Sequence, residues 1–375
     1  MKALGLAISS LFACYAQGQI AFSGQVKAGF LIPHHATLRA QMNHTQTIEI
    51  KALWNLDSSH VAYKNLNKPN FGLLLGVIRN NLTEINGLAY YTGVIAQKSL
   101  QYSSKQRTSV SFAAGVGYLT RRFDETNNRL NTAIGSHVNG LMQVGFQHYR
   151  KIGAKTQVFA TLDLTHFSNG NSRMPNLGFN FPQIGFGVNQ NIGHYKLSPI
   201  SYPSRNSKLS WEGGLRLGQR QIAIDDRTNI VIGIAELNLL YPQSPIARWK
   251  AGVNIFYDRS YVHTDLMPLP KNSPLAKTME IALLAGHEYR IGRIGFATEA
   301  GVYLYRPSKK KRVYYEALGL RYYVKPNLYF GTRIKAHLTS ADYFEFGMGY
   351  QFLSKKDVKP GFSNGWRWFF NKLGF

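Results

Sequence analysis

Residues Asp342–Phe352 read DYFEFGMGYQF, and the alternation in this stretch decides the fold class. Phe344, Phe346, Met348, Tyr350 and Phe352 fall on one side of an extended chain; Glu345, Gly347, Gly349 and Gln351 fall on the other. Successive side chains of a strand point to opposite faces, so the stretch is a strand with one broad apolar face and one small or charged face. The pattern recurs. In SVSFAAGVGYL, Val110, Phe112, Ala114, Val116 and Tyr118 oppose Ser109, Ser111, Gly115 and Gly117. In LSWEGGLRLGQR, Leu209, Trp211, Leu215 and Leu217 oppose Ser210, Glu212, Arg216 and Arg220. In NLYFGTRIKAHL, Phe330, Ile334 and Leu338 oppose Arg333, Lys335 and His337.

Composition agrees with an all-β chain: 22 Tyr, 22 Phe and 35 Gly supply many short aromatic segments broken by turns. No apolar run reaches the roughly 18 residues a membrane helix needs. A chain with lipid-suited faces then has one route into a bilayer, the closed β-barrel. Tyr and Trp near strand ends fit the interfacial girdles of such barrels. The start, MKALGLAISSLFACYAQGQ, combines Lys2, an apolar run from Ala3 to Ala13 and small residues near Ala16 and Gly18. It reads as a cleaved secretory signal over residues 1–18. The sole cysteine, Cys14, lies inside it, so no disulfide is expected.

Forty-four Lys and Arg against 19 Asp and Glu leave a net charge of +25, which calls for an anionic partner. The basic residues are dispersed and no nucleic-acid-binding motif accompanies them, so an anionic lipid surface is the better reading. The one dense run, Lys309, Lys310, Lys311 and Arg312, would either be a solvated loop or meet lipid phosphates.

About sixteen alternating segments are predicted, from 21–32 through 342–352. The short links KIGAK, YPQSP, RIGR and VKPN fall on the periplasmic side, and the long connections at 120–137 and 259–278 fall outside. The expected architecture is one transmembrane antiparallel barrel of about 16 strands; the alternative is an eight-stranded barrel followed by a second one, divided near 193–207. Residues 19–192 would carry the site, 193–352 would add the remaining strands, and 353–375 (ending WRWFFNKLGF) would form a basic aromatic tail. The last strand, ending in Phe, resembles the C-terminal insertion signal of bacterial outer-membrane proteins.

The chemistry lies in TLDLTHFSNGNSRMPNLGFN, Thr161–Asn180. His166 and Ser168 share strand parity with Val158, Ala160, Leu162 and Leu164, so both point to the lipid side at the outer end of the strand; Asp163 points to the lumen. Asn180 on the next strand has the same outward parity. His and Ser at i and i+2 lie roughly 7 Å apart at Cα, a gap side chains can close. A serine hydroxyl needs such a base, and the base needs an orienting group. His166 would be the base and Ser168 the nucleophile, with the orienting group left open by spacing alone. Asn169, with Gly170 and Asn176, would bind the oxyanion or substrate. The adjacent His34 and His35 project to opposite faces if extended, which disfavours a metal pair and leaves a loop or interface role. His137, and His263 with Asp265, read as surface residues of outer loops.

HFSNG followed by Asn176, Gly178 and Asn180 resembles the signature of the lipid A 3-O-deacylase family (PagL), whose members are small outer-membrane barrels. The resemblance spans roughly residues 20–192, including FLIPHH and YLTRRFDETNNRLNTAIGSHVNG. It implies a serine esterase that removes an ester-linked acyl chain from lipid A in the outer leaflet, without metal or cofactor. Two departures stand out. The family's acidic residue, which orients the histidine, falls on Asn180, so the resemblance implies that Asn180 takes the orienting role; and residues beyond about 193 have no counterpart in the short members. Competing readings are an outer-membrane phospholipase, which uses similar groups, and a porin-like barrel in which lumen residues such as Glu212, Arg216, Arg333 and Lys335 matter most.

Overall fold

The computed structural model describes residues 17–55, 67–196, 208–224, 228–262, 275–307, 312–338 and 340–357. Residues 1–16 of the expected signal segment 1–18, Lys309–Lys311, His263, Asp265 and the tail from 358 lie outside the described residues, whereas residues 17 and 18 already belong to the first strand. Sixteen strands are present among the described residues, in agreement with the roughly sixteen alternating segments expected. They are β1 (Gln17–Phe30), β2 (His44–Asn55), β3 (Asn70–Asn80), β4 (Leu88–Tyr102), β5 (Gln106–Leu119), β6 (Val138–Lys151), β7 (Thr156–Ser168) and β8 (Phe179–Lys196). Then follow β9 (Lys208–Gln221), β10 (Asn229–Ser244), β11 (Ala247–Asp258), β12 (Met279–Ile291), β13 (Ile294–Tyr305), β14 (Tyr314–Lys325), β15 (Leu328–His337) and β16 (Ser340–Asp357). β16 thus continues into the segment expected to be tail.

The sixteen strands form two closed barrels of eight, the second of the two arrangements expected from sequence, and not a single ring. Within each barrel every strand pairs antiparallel with its chain neighbours. β8 returns to β1 with Val26 opposite Phe186, and β16 returns to β9 with Leu215 opposite Met348. The short links at Ile152–Lys155, Pro245–Ile246, Gly292–Arg293 and Pro326–Asn327 are tight turns, as predicted.

Lumen filling explains the closure at eight, a number that leaves an interior just wide enough for side chains. In the first barrel Lys27 Nζ lies 3.1 Å from Glu49 and 3.0 Å from Asp163, reaching residues of β2 and β7 from β1. Tyr91 and Gln143 also donate to Glu49, at 2.6 and 3.0 Å. In the second barrel Arg321 on β14 bonds Glu212 on β9 at 2.9 Å and Glu288 on β12 at 2.8 Å. Arg333 pairs with Glu236, Glu299 and Glu345, and Arg216 with Glu236. Charges this deeply buried are tolerable only when paired and hydrogen-bonded. The four residues on which the porin-like reading rests are therefore packed into ion pairs. Lys335, the last of them, lies 4.0 Å from the Phe256 ring with Glu280 and Asp342 nearby. The side chains that occupy each lumen remove the basis for a wide aqueous channel.

The outer faces are the reverse. Phe186 is 65% exposed, Leu215 67% and Phe346 64%. A continuous surface of such residues around a barrel is costly in water and suited to hydrocarbon.

Candidate active site

At the outer end of the first barrel four connections interlock. Gln41, beyond β1, donates from Nε2 to the Thr132 hydroxyl at 2.9 Å. Asn128 and Asn131 both donate to the Ile85 carbonyl, at 2.9 and 3.1 Å, tying the long connection 120–137 to the short helical turn Thr83–Asn86. In that connection the Asp124 carboxylate accepts from the backbone N–H groups of Asn127 and Thr126, which hold its carboxyl below the ordinary range. Ile134 is fully buried and bridges to Asn176, while Gly178 N–H donates to the Ala133 carbonyl at 3.0 Å. The 120–137 connection is thus a clamp over the loop that follows β7.

β7 carries the predicted pair. Its burial pattern places Val158, Ala160, Leu162 and Leu164 outward and Phe159, Thr161, Asp163 and Thr165 inward, so His166 sits on the outer face as its parity requires. Asp163 is a lumen residue engaged with Lys27. The hairpin register sets His166 directly across from Asn180. Side chains opposite each other in an antiparallel pair are close enough to bond, and His166 Nδ1 lies 2.7 Å from Asn180 Oδ1. An amide oxygen only accepts, so Nδ1 carries the proton and Nε2 offers its lone pair.

Ser168 ends β7, two residues on, and is buried. Its partner across the ladder on β6 is Gly140, which places no side chain over the hydroxyl. No hydrogen bond joins Ser168 to His166 in this structure; such contacts are often loose before substrate is bound. The loop then turns through left-handed backbone at Gly170 (φ 57°) and Asn171 (φ 57°). Asn169 is buried and committed to this turn. Its backbone N–H donates to Asn176 Oδ1 at 2.8 Å and its Nδ2 to the Arg173 carbonyl at 2.7 Å. Asn176 therefore acts on Asn169, holding the loop that follows the serine.

Two neighbours of the site, both noted in the sequence, have contacts there that the sequence did not assign them. Gly178 has φ 80°, and a Cβ there would stand 2.9 Å from His166 Cε1 and 3.0 Å from the Phe167 carbonyl oxygen. Only glycine lets the chain adopt that conformation while the imidazole lies against it. His34, expected to serve a loop or interface role, instead reaches Asn180. Its Nδ1 is 3.1 Å from Asn180 Nδ2 and its Nε2 is 2.9 Å from the Leu177 carbonyl. Its neighbour His35 turns away to Thr37, at 2.9 Å. The tandem histidines do diverge, and no group of three metal-ligating side chains occurs among the described residues. His137 bonds the Leu119 carbonyl and stacks on Tyr118, apart from the His166–Asn180 pair. Of the basic run, Arg312 is described and exposed.

Two family models match the chain. One, lipid A 3-O-deacylase (PagL), covers residues 36–189; the other, acyloxyacyl hydrolase, C-terminal domain, covers residues 209–374. The second match gives residues beyond 193, expected to have no counterpart in the short members, a family model of their own. Among solved structures, the outer membrane enzyme PagL aligns at 11% identity over 44% of this chain and 97% of its own, with a TM-score of 0.34. A triple mutant of the Rh. blastica porin aligns at 7% identity over 89% of this chain and 99% of its own, with a TM-score of 0.17. Both scores are too low to bear on the assignment, which rests on the family models. No curated protein matches. With its site barrel matched by one model and its second barrel by the other, the chain belongs to the lipid A 3-O-deacylase (PagL) and acyloxyacyl hydrolase family of outer-membrane β-barrel proteins.

Proposed function

We propose that the protein is a serine esterase that removes an ester-linked acyl chain from lipid A in the outer leaflet. The observation that carries this reading is the 2.7 Å bond between His166 and Asn180 on the lipid-facing wall, with Ser168 two residues along the same strand. Polar groups facing hydrocarbon are costly to keep, and a substrate that lies in the bilayer gives such a cluster a use there.

Ser168 Oγ attacks the ester carbonyl carbon while His166 Nε2 accepts the hydroxyl proton. The carbonyl oxygen becomes an oxyanion, to which the Gly170 backbone N–H and the second Nδ2 hydrogen of Asn169 would donate. Collapse breaks the ester C–O bond, and the departing sugar oxygen takes the proton from His166. Water then hydrolyses the acyl-serine by the same route in reverse. Asn180 accepts from His166 Nδ1–H throughout, keeping Nε2 as the base. An amide does this without the negative charge that would favour imidazolium, so turnover is expected to be slow for the fold. Exposed basic residues such as Arg312 suit a surface of lipid A phosphates.

Mass spectrometry of lipid A from cells producing the wild type or Ser168→Ala tests the reading. Loss of one acyl mass in the wild type alone is expected. Unchanged lipid A with release of fatty acid from phospholipid would replace it with the phospholipase reading.

A further inference from the structure

We infer that His34 is a positioning residue: it fixes the direction of the Asn180 side-chain amide and so selects the His166 tautomer that can accept a proton from Ser168. The inference deepens the proposed esterase reading and rests on it for the catalytic consequence.

A carboxylate at position 180 would present an oxygen to His166 whichever way it turned. An amide has two unlike ends. Rotated by half a turn, Asn180 would offer its NH2 to His166 Nδ1, draw the lone pair to that nitrogen and force the proton onto Nε2. The ring would then be unable to act as base toward Ser168, and a wrong tautomer of this kind is severely damaging in serine hydrolases. A chain with Asn at this place needs a second group to set the amide.

His34 meets that need through its own contacts. The Leu177 carbonyl oxygen can only accept, so His34 Nε2, 2.9 Å away, carries a proton. In the neutral ring Nδ1 is then an acceptor; of the two groups that face it, the Ile32 carbonyl oxygen at 3.3 Å has no proton to give, whereas the Asn180 NH2 at 3.1 Å donates. That leaves Asn180 Oδ1 for His166 Nδ1–H at 2.7 Å. The chain of donors runs in one direction, from His166 through Asn180 to His34 and on to Leu177. The backbone supports it independently: Ile32 N–H donates to the Asn180 carbonyl at 2.9 Å, which keys the His34 loop to Asn180 itself. His34 is exposed and outside the barrel strands, so its removal leaves the lumen and the ladder untouched.

The test uses the full chain refolded in detergent, with lipid A in mixed micelles as substrate, and compares His34→Ala, His34→Asn, Asn180→Asp and the Asn180→Asp/His34→Ala double variant. His34→Ala should lower kcat about fivefold to tenfold, the bias that one neutral hydrogen bond supplies, with KM unchanged. His34→Asn, whose Oδ1 stands where Nδ1 stood, should restore most of it. In the Asn180→Asp background the loss should shrink below about twofold, because a carboxylate has no wrong end. Long-range 15N spectra of histidine-labelled protein give a readout that needs no turnover: His166, assigned by its absence in His166→Gln, should change from the Nδ1–H to the Nε2–H tautomer in His34→Ala. An equal loss in both backgrounds, or an unchanged His166 tautomer, would overturn the inference. Because the spectrum is read without substrate, it decides the role of His34 even if Ser168→Ala kept activity and the esterase reading failed.

Discussion

Replacing Asn180 by Asp tests the site at its departure from the family pattern. The amide oxygen lies 2.7 Å from His166 Nδ1, so the substitution puts a carboxylate oxygen in the same place with no change of reach. A neutral hydrogen bond contributes about 0.5–1.5 kcal/mol net and one to a charged group about 1.5–3, a gain of ~1–1.5 kcal/mol. In the proposed mechanism the gain belongs to the imidazolium that would form as Ser168 gives up its proton, so it would lower the barrier and leave ground-state binding alone. Converted at 1.36 kcal/mol per tenfold, it is an increase in kcat of roughly fivefold to twelvefold. Asn180 is half-buried and open to solvent screening, which favours the lower end. The assay is acyl release from lipid A in mixed micelles over a range of substrate concentrations, with Asn180→Leu as the shape-conserving loss. The leucine variant should lose about tenfold or more, since nothing then sets the imidazole tautomer. If the Asp and Leu variants both turned over at the wild-type rate, Asn180 would not be the group that orients His166.

Two further substitutions follow from the geometry. Gly178→Ala places a Cβ 2.9 Å from His166 Cε1 in backbone at φ 80°; a strain of about 1–3 kcal/mol is expected. Displacement of the imidazole should cut kcat more than tenfold while the barrel stays folded by circular dichroism. Glu49→Leu removes the shared partner of Lys27 and Lys51 and leaves two buried ammonium groups short of a counter-charge. It should destabilise the first barrel by about 3–5 kcal/mol, read as earlier thermal unfolding in detergent.

The strands and their faces were legible because alternation is local: a period of two is written in each segment, so Phe346 outward and Glu345 inward need no knowledge of any other strand. The same parity placed His166 on the outside and Asp163 in the lumen, and a short signature around Ser168 named the family. Asn180 could be suspected from spacing because β7 and β8 form one hairpin, whose register links positions fourteen apart in the chain. Closure was not legible. Whether β8 pairs with β1 or continues to β9 depends on contacts between strands more than 150 residues apart in the chain, and on whether Lys27, Glu49 and Asp163 can meet across one lumen. His34 lay beyond reach for the same reason. It stands 146 positions from Asn180, on a loop with no periodicity, and only barrel closure brings the end of β1 beside β8. Local chemistry thus sufficed for element, face and family, whereas ring size and the group that steers the amide exist only once distant strands are paired.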